Sequence, residues 1–163
     1  MNPIEKANTI PDEPMIFALL LIISNKMNTL LERDLKEFDV TTIQWFLCET
    51  IHTLFDYPPT MKEVAGEMGS SYQNIKQVAL KLQQKGLLIL EKDKKDARVT
   101  RLRLTEQSND FWRKTDLKGT IFRENMFKEM NKKEIATTRA LLVKMLLNLN
   151  KIENATIEEI EKG

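Results

Sequence analysis

Two helix starts stand ten residues apart in mid-chain with a glycine between them, and this arrangement constrains the fold more than any other feature of the sequence. Thr60 with Glu63, and Ser70 with Gln73, both have the spacing of a capping box. In that motif a hydroxyl and a side chain three residues on satisfy free backbone N–H groups at a helix start. Gly69 lies between them and leaves about three residues for the connection. The first short helix presents Met61, Val64, Ala65 and Met68 on one side. The second presents Ile75, Val78, Ala79 and Leu82 at helical spacing, and Gly86 ends it. Two helices joined through so tight a turn form the helix-turn-helix pattern.

The other face of the second helix is polar in an unusual way. It carries Tyr72, Gln73, Asn74, Lys76, Gln77 and Lys81, with Ser70 and Ser71 at its start. From Ser70 to Leu90 there is no acidic residue, in a chain that is 30% charged. A merely solvated face should include Glu. Asn and Gln match the edges of bases, and Lys matches phosphate, so the pattern points to nucleic acid.

A hairpin follows directly. "LLILEK" at 87–92 and "RVTRLRLT" at 98–105 read as strands, with the loop "DKKDA" between. Leu102 and Leu104 fall on one face and Arg101 and Arg103 on the other. Such a hairpin is a wing: its leucines pack on the helices, Lys94, Lys95 and Arg98 project, and Arg101 on the outer face is expected to contact DNA with them. An arginine on a projection suits a narrow, electronegative minor groove. Residues 60–103 carry ten Lys and Arg against five Asp and Glu, although the whole chain is only +1. A near-neutral total thus hides a basic middle, which is the footprint a phosphate backbone selects.

The flanks read as long helices. One is expected from Asp12 to about Phe38, and "TTIQ" at 41–44 caps another whose apolar face is Ile43, Phe46, Leu47, Ile51 and Leu54. "MIFALLLIIS" at 15–24 has nine apolar residues, too few to span a bilayer, which takes about 20. No basic stretch precedes it, so a buried helix in a cytoplasmic protein is expected rather than a targeting or membrane segment. After Thr105 a helix is expected over 106–130, then "NKKE" at 131–134 caps the last one. That helix sets Ile135, Thr138, Leu142, Met145, Leu149 and Ile152 at a and d spacing, with Leu141, Val143, Leu146 and Leu147 besides. Two helices with more apolar surface than one small domain can cover suggest a subunit interface. The alternative is a larger core within one subunit. The expected organisation is mainly α with a small β-hairpin wing. Residues 12–38 and 106–152 form a helical dimerisation region around a winged helix-turn-helix at 41–105.

Enzyme chemistry finds no support in the residues. Glycines stand only at 66, 69, 86, 119 and 163, which leaves no phosphate-binding loop. One cysteine, Cys48, and one histidine, His52, cannot supply a structural zinc site from one chain. No catalytic residue, metal or cofactor is expected.

"DARVTRLRLT" at 96–105 resembles the D-x-R-x-x-x-L-x-L-T signature of the MarR family of transcriptional regulators. Asp96, Arg98, Leu102, Leu104 and Thr105 carry the match, and the order of elements agrees over about 14–150. The resemblance implies a homodimeric winged-helix regulator on an inverted-repeat operator in double-stranded DNA. It makes Arg98 the wing arginine of the minor groove and Asp96 its positioning partner. It also brings in a small-molecule effector, in a crevice that Trp45, Cys48, His52, Phe111 and Trp112 would line. Simple core packing is the competing account of those five. One departure stands out: "SSYQNIKQ" lacks the arginine often found early in the family's recognition helix. The rival function is a winged helix that contacts protein instead of DNA.

Overall fold

The computed structural model describes residues 9–161. Its elements are α1 (Asp12–Leu35), a 3-10 turn (Lys36–Phe38), α2 (Thr42–Leu54), α3 (Met61–Glu67), α4 (Tyr72–Gln84), β1 (Leu88–Lys92), β2 (Thr100–Leu104), a second 3-10 turn (Glu106–Ser108), α5 (Asn109–Met126) and α6 (Lys132–Glu161). The chain divides into two compact units, with the division after Thr120.

In the first unit, local chemistry sets the helix boundaries. Thr41 and Gln44 make a reciprocal capping box on α2, and Thr60 and Glu63 make one on α3. The third expected box forms differently. Ser71, not Ser70, caps α4, its Oγ accepting from the Asn74 backbone N–H at 3.2 Å. The cause lies in how α3 ends. Gly69 adopts φ +57°, and the N–H of Ser70 reaches back to the carbonyl of Ala65 at 2.9 Å. That Schellman closure makes Ser70 the end of the first helix, so the next residue begins the second. Gly86, at φ +70°, closes α4 in the same way, with Leu87 N–H bonded to the Leu82 carbonyl.

One continuous core joins these pieces. Leu47, Cys48 and Ile51 of α2 meet Met61, Val64 and Ala65 of α3, four residues of α4, and Leu88 and Leu102 of the hairpin. Each fully buried aliphatic side chain contributes about 1.5–3 kcal/mol. The hairpin is antiparallel with Leu88 opposite Leu104 and Leu90 opposite Leu102, which puts the leucines on the core side. The residues before α3 add a short third edge: Thr60 bridges Arg101, and Leu102 N–H donates to the Pro59 carbonyl at 2.8 Å.

The expectation that α1 is a buried helix fails within one chain. Only Leu31 and Leu35 are buried, while Ile16, Phe17 and Leu19 to Ile23 are exposed. The apolar run continues round the helix, and the lobe covers only its C-terminal end. By length and composition alone, Asp12–Phe38 would suffice to cross a membrane. In the second unit, Asn131 and Glu134 form the expected cap on α6. Ile135, Thr138 and Met145 are half-buried, whereas Leu142, Leu149 and Ile152 are exposed, with Leu141, Val143, Leu146 and Leu147.

Candidate nucleic-acid interface

The structure separates the two faces of α4 cleanly. Ile75, Val78, Ala79 and Leu82 are buried, and Tyr72, Gln73, Asn74, Lys76, Gln77 and Lys81 are exposed. Leu80 is also exposed, at 41%, an apolar position on the otherwise polar outer face. Ser70 is half-buried and Ser71 exposed at the start of the helix. The Asn74 side chain turns back on the helix start, its Nδ2 donating to Ser70 Oγ at 2.9 Å. Asn74, Gln77 and Lys81 also line a cleft of about 370 Å³ with Asn28 and Glu32 of α1 and Thr41, Ile43 and Gln44 at the start of α2. Glu32 is committed there: its carboxylate accepts from the Thr42 N–H at 2.7 Å.

The wing is ordered by carboxylates. Asp93 Oδ1 accepts from the N–H groups of Lys95 and Asp96 at 2.8 and 3.0 Å, which closes the loop. Asp96 then receives a fork from Arg98, Nε to Oδ1 at 3.1 Å and Nη2 to Oδ2 at 3.2 Å. The side chain and then the amide of Arg98 hold the Asp96 carboxyl below its ordinary value. Arg98 is nonetheless 92% exposed, so its fork is held in place without being covered. Lys94 and Lys95 are exposed beside it.

Arg101 differs from the other wing cations. The sequence pattern groups it with them, but its side chain is only 31% exposed and is engaged twice. Its Nε donates to Asp93 Oδ2, and its Nη1 donates to the Pro58 carbonyl at 2.8 Å. Arg103 pairs with Glu91 at 3.2 Å. Both ion pairs are diagonal across the hairpin, since Glu91 stands opposite Arg101 and Ile89 opposite Arg103. The signal is present in sequence: Glu91 and Asp93 stand two apart at the end of β1 and just past it, and Arg101 and Arg103 two apart on β2. Without the register their partners could not be assigned.

The five residues proposed for an effector crevice do not share one environment. Cys48 is part of the core, and burial, then Glu49, pushes its thiol well up. His52 is exposed. Phe111 packs edge-on against Trp112 at 4.6 Å and against Phe38 at 6.0 Å. The indole N–H groups of Trp45 and Trp112 are buried with no hydrogen-bond partner among the described residues. None of the five lines the cleft beside α4, or a second of about 520 Å³ bordered by Glu32, Arg33, Lys36, Asp39 and Lys85.

No protein-family model matches the chain, and no curated protein matches it by sequence. Solved structures do. MepR of S. aureus in complex with DNA superposes with a TM-score of 0.75 at 19% identity, over 85% of this chain and 99% of that one. A MarR protein from Peptoclostridium difficile gives 0.77 at 19% identity, over 88% and 91%. The transcriptional regulator SlyA gives 0.75 at 14% identity, over 83% and 94%. At such identities the likeness is one of fold: this chain has the winged-helix architecture of the MarR-type transcriptional regulators.

Proposed function

We propose that the chain is a MarR-family regulator of transcription that binds double-stranded DNA as a homodimer, in the cytoplasm. The observation that carries this is the pairing of an acid-free outer face on α4 with a wing whose Arg98 is exposed yet held by Asp96. Gln73 and Gln77 read base edges in the major groove, Lys76, Lys94 and Lys95 hold phosphates, and Arg98 enters the minor groove. The DNA complex of MepR lends support by analogy of fold.

Residues 41–105 form the DNA-binding domain in this account, and residues 12–38 and 106–152 the dimerisation region. The support is the apolar surface that a single chain leaves open on α1 and on α6. A membrane would also cover α1. Against that stand Glu32, Arg33 and Asp34 within the helix and the burial of Leu31 and Leu35 against the lobe. A small-molecule effector belongs to the same reading, and the buried indole N–H groups of Trp45 and Trp112, without a partner among the described residues, are its support.

The test is selection of bound duplexes from a random library. An inverted repeat should emerge, with half-sites about one helical turn, ~34–36 Å, apart. Enrichment of a single half-site refutes the dimeric arrangement. No enrichment at all favours the protein-contact reading, for which exposed Tyr72 and Leu80 are the observations in hand.

A further inference from the structure

We propose that Arg101 is a positioning residue for the wing and not a DNA contact; this rests on the DNA-binding reading above. A single polar chain runs from the body of the lobe to the tip of the hairpin. Arg101 Nη1 holds the Pro58 carbonyl, just before the short edge that pairs with β2. Its Nε holds one carboxylate oxygen of Asp93. The other oxygen of Asp93 gathers the Lys95 and Asp96 N–H groups, and the Asp96 carboxylate takes the fork of Arg98. Every link is a charge-assisted bond, stronger and more directional than a neutral one. The planar guanidinium can bridge two acceptors at fixed angles, which a lysine ammonium does not reproduce.

Exposure supports the division of roles. The Arg98 side chain is 92% exposed and that of Arg101 31%, and the Asp93 carboxylate that holds it is 14% exposed. A phosphate would have to displace both partners of Arg101 to reach it. Loosening Arg101 or Asp93 should instead free the loop and let Arg98 sample many orientations, so that DNA binding must then order it.

The experiment compares Arg98→Ala, Arg101→Gln, Arg101→Lys and Asp93→Asn, singly and in the Arg98→Ala background, for affinity to the selected duplex. Melting curves are run alongside. Asp93→Asn is the discriminating variant, because it removes a negative charge and by simple electrostatics should tighten binding to DNA. Positioning requires the reverse: Asp93→Asn, Arg101→Gln and Arg101→Lys each weaken binding severalfold, and none weakens it further once Arg98 is alanine. In the free protein, hydrogen exchange at the Lys95 and Asp96 amides should speed up in Arg101→Gln. If Asp93→Asn binds as well as wild type or better, or if Arg101→Lys is wild-type-like, or if the Arg101 and Arg98 effects add, the positioning role is wrong while the DNA reading stands. If Arg98→Ala itself leaves affinity unchanged, the DNA reading fails first, and the inference goes with it.

Discussion

Asn74 donates its side-chain amide to the hydroxyl of Ser70 at 2.9 Å, so one of the polar residues expected to read bases is tied to the turn that precedes its own helix. Its backbone N–H is held as well, by the cap from Ser71. Gln73 and Gln77 are exposed without such a tie between them and the turn. Base discrimination should therefore rest on the two glutamines more than on Asn74. Gln73→Ala or Gln77→Ala should relax preference at one or two base pairs by about 1–3 kcal/mol and leave non-specific affinity nearly intact. Asn74→Ala should act mainly on the helix start. Competition between single-base variants of the selected site measures this.

The wing should lose its order in acid. Asp93 is held down to about 2 from an ordinary 3.8, first by Arg101 and then by the N–H groups of Lys95 and Asp96. A depressed carboxylate contributes stability above its unfolded value and loses it as pH falls through the folded one. The contribution is thus nearly whole above about pH 4 and is lost as pH falls through about 2. Wild type should lose melting temperature more steeply than Asp93→Asn across that window; parallel curves would show that the pair does not hold the wing.

Cys48 should be inert. Burial within the core raises its thiol, and the thiolate is the reactive form. A disulfide reagent at pH 8 should react with it only when denaturant unfolds the protein. Peroxide should leave DNA binding untouched, and modification of the folded protein at an ordinary thiol rate would contradict the placement. Cys48→Ser should cost about 1–3 kcal/mol, because a hydroxyl then lies buried among aliphatic side chains.

The open face of α1 should be a subunit interface. Light scattering at micromolar concentration should give twice the 19.0 kDa of one chain. Leu20→Glu with Ile23→Glu, both at exposed positions of that helix, should shift the mass toward the monomer and weaken DNA binding in step. A wild-type mass near that of one chain, or a membrane-bound fraction, would assign the face elsewhere.

How much of this was legible in the sequence depended on how local the cause was. Thr41 with Gln44, Thr60 with Glu63 and Asn131 with Glu134 announce helix starts because each motif is complete within four residues. The start of α4 lies one residue beyond the box that Ser70 and Gln73 suggest, because the choice between Ser70 and Ser71 depends on how the preceding helix closes at Gly69. The wing was legible as a basic hairpin. That Arg98 stays open while Arg101 is consumed follows from strand register and from Pro58, which lies 43 positions away in the chain. Apolar excess on α1 was visible, but whether one chain buries it is decided by the reach of the lobe, which no pattern within the helix encodes.

The central claim is that the exposed Arg98 wing and the acid-free face of α4 bind a phosphate backbone, and the salt dependence of binding tests it most directly. A dimer that neutralises roughly 6–10 phosphates should give a slope of log K against log salt of about −5 to −9. Arg98→Ala should weaken binding about ten-fold, most of all on sites with A·T-rich flanks, with the fold intact by melting. An affinity indifferent to salt, or an Arg98→Ala protein that binds as wild type does, would contradict the account.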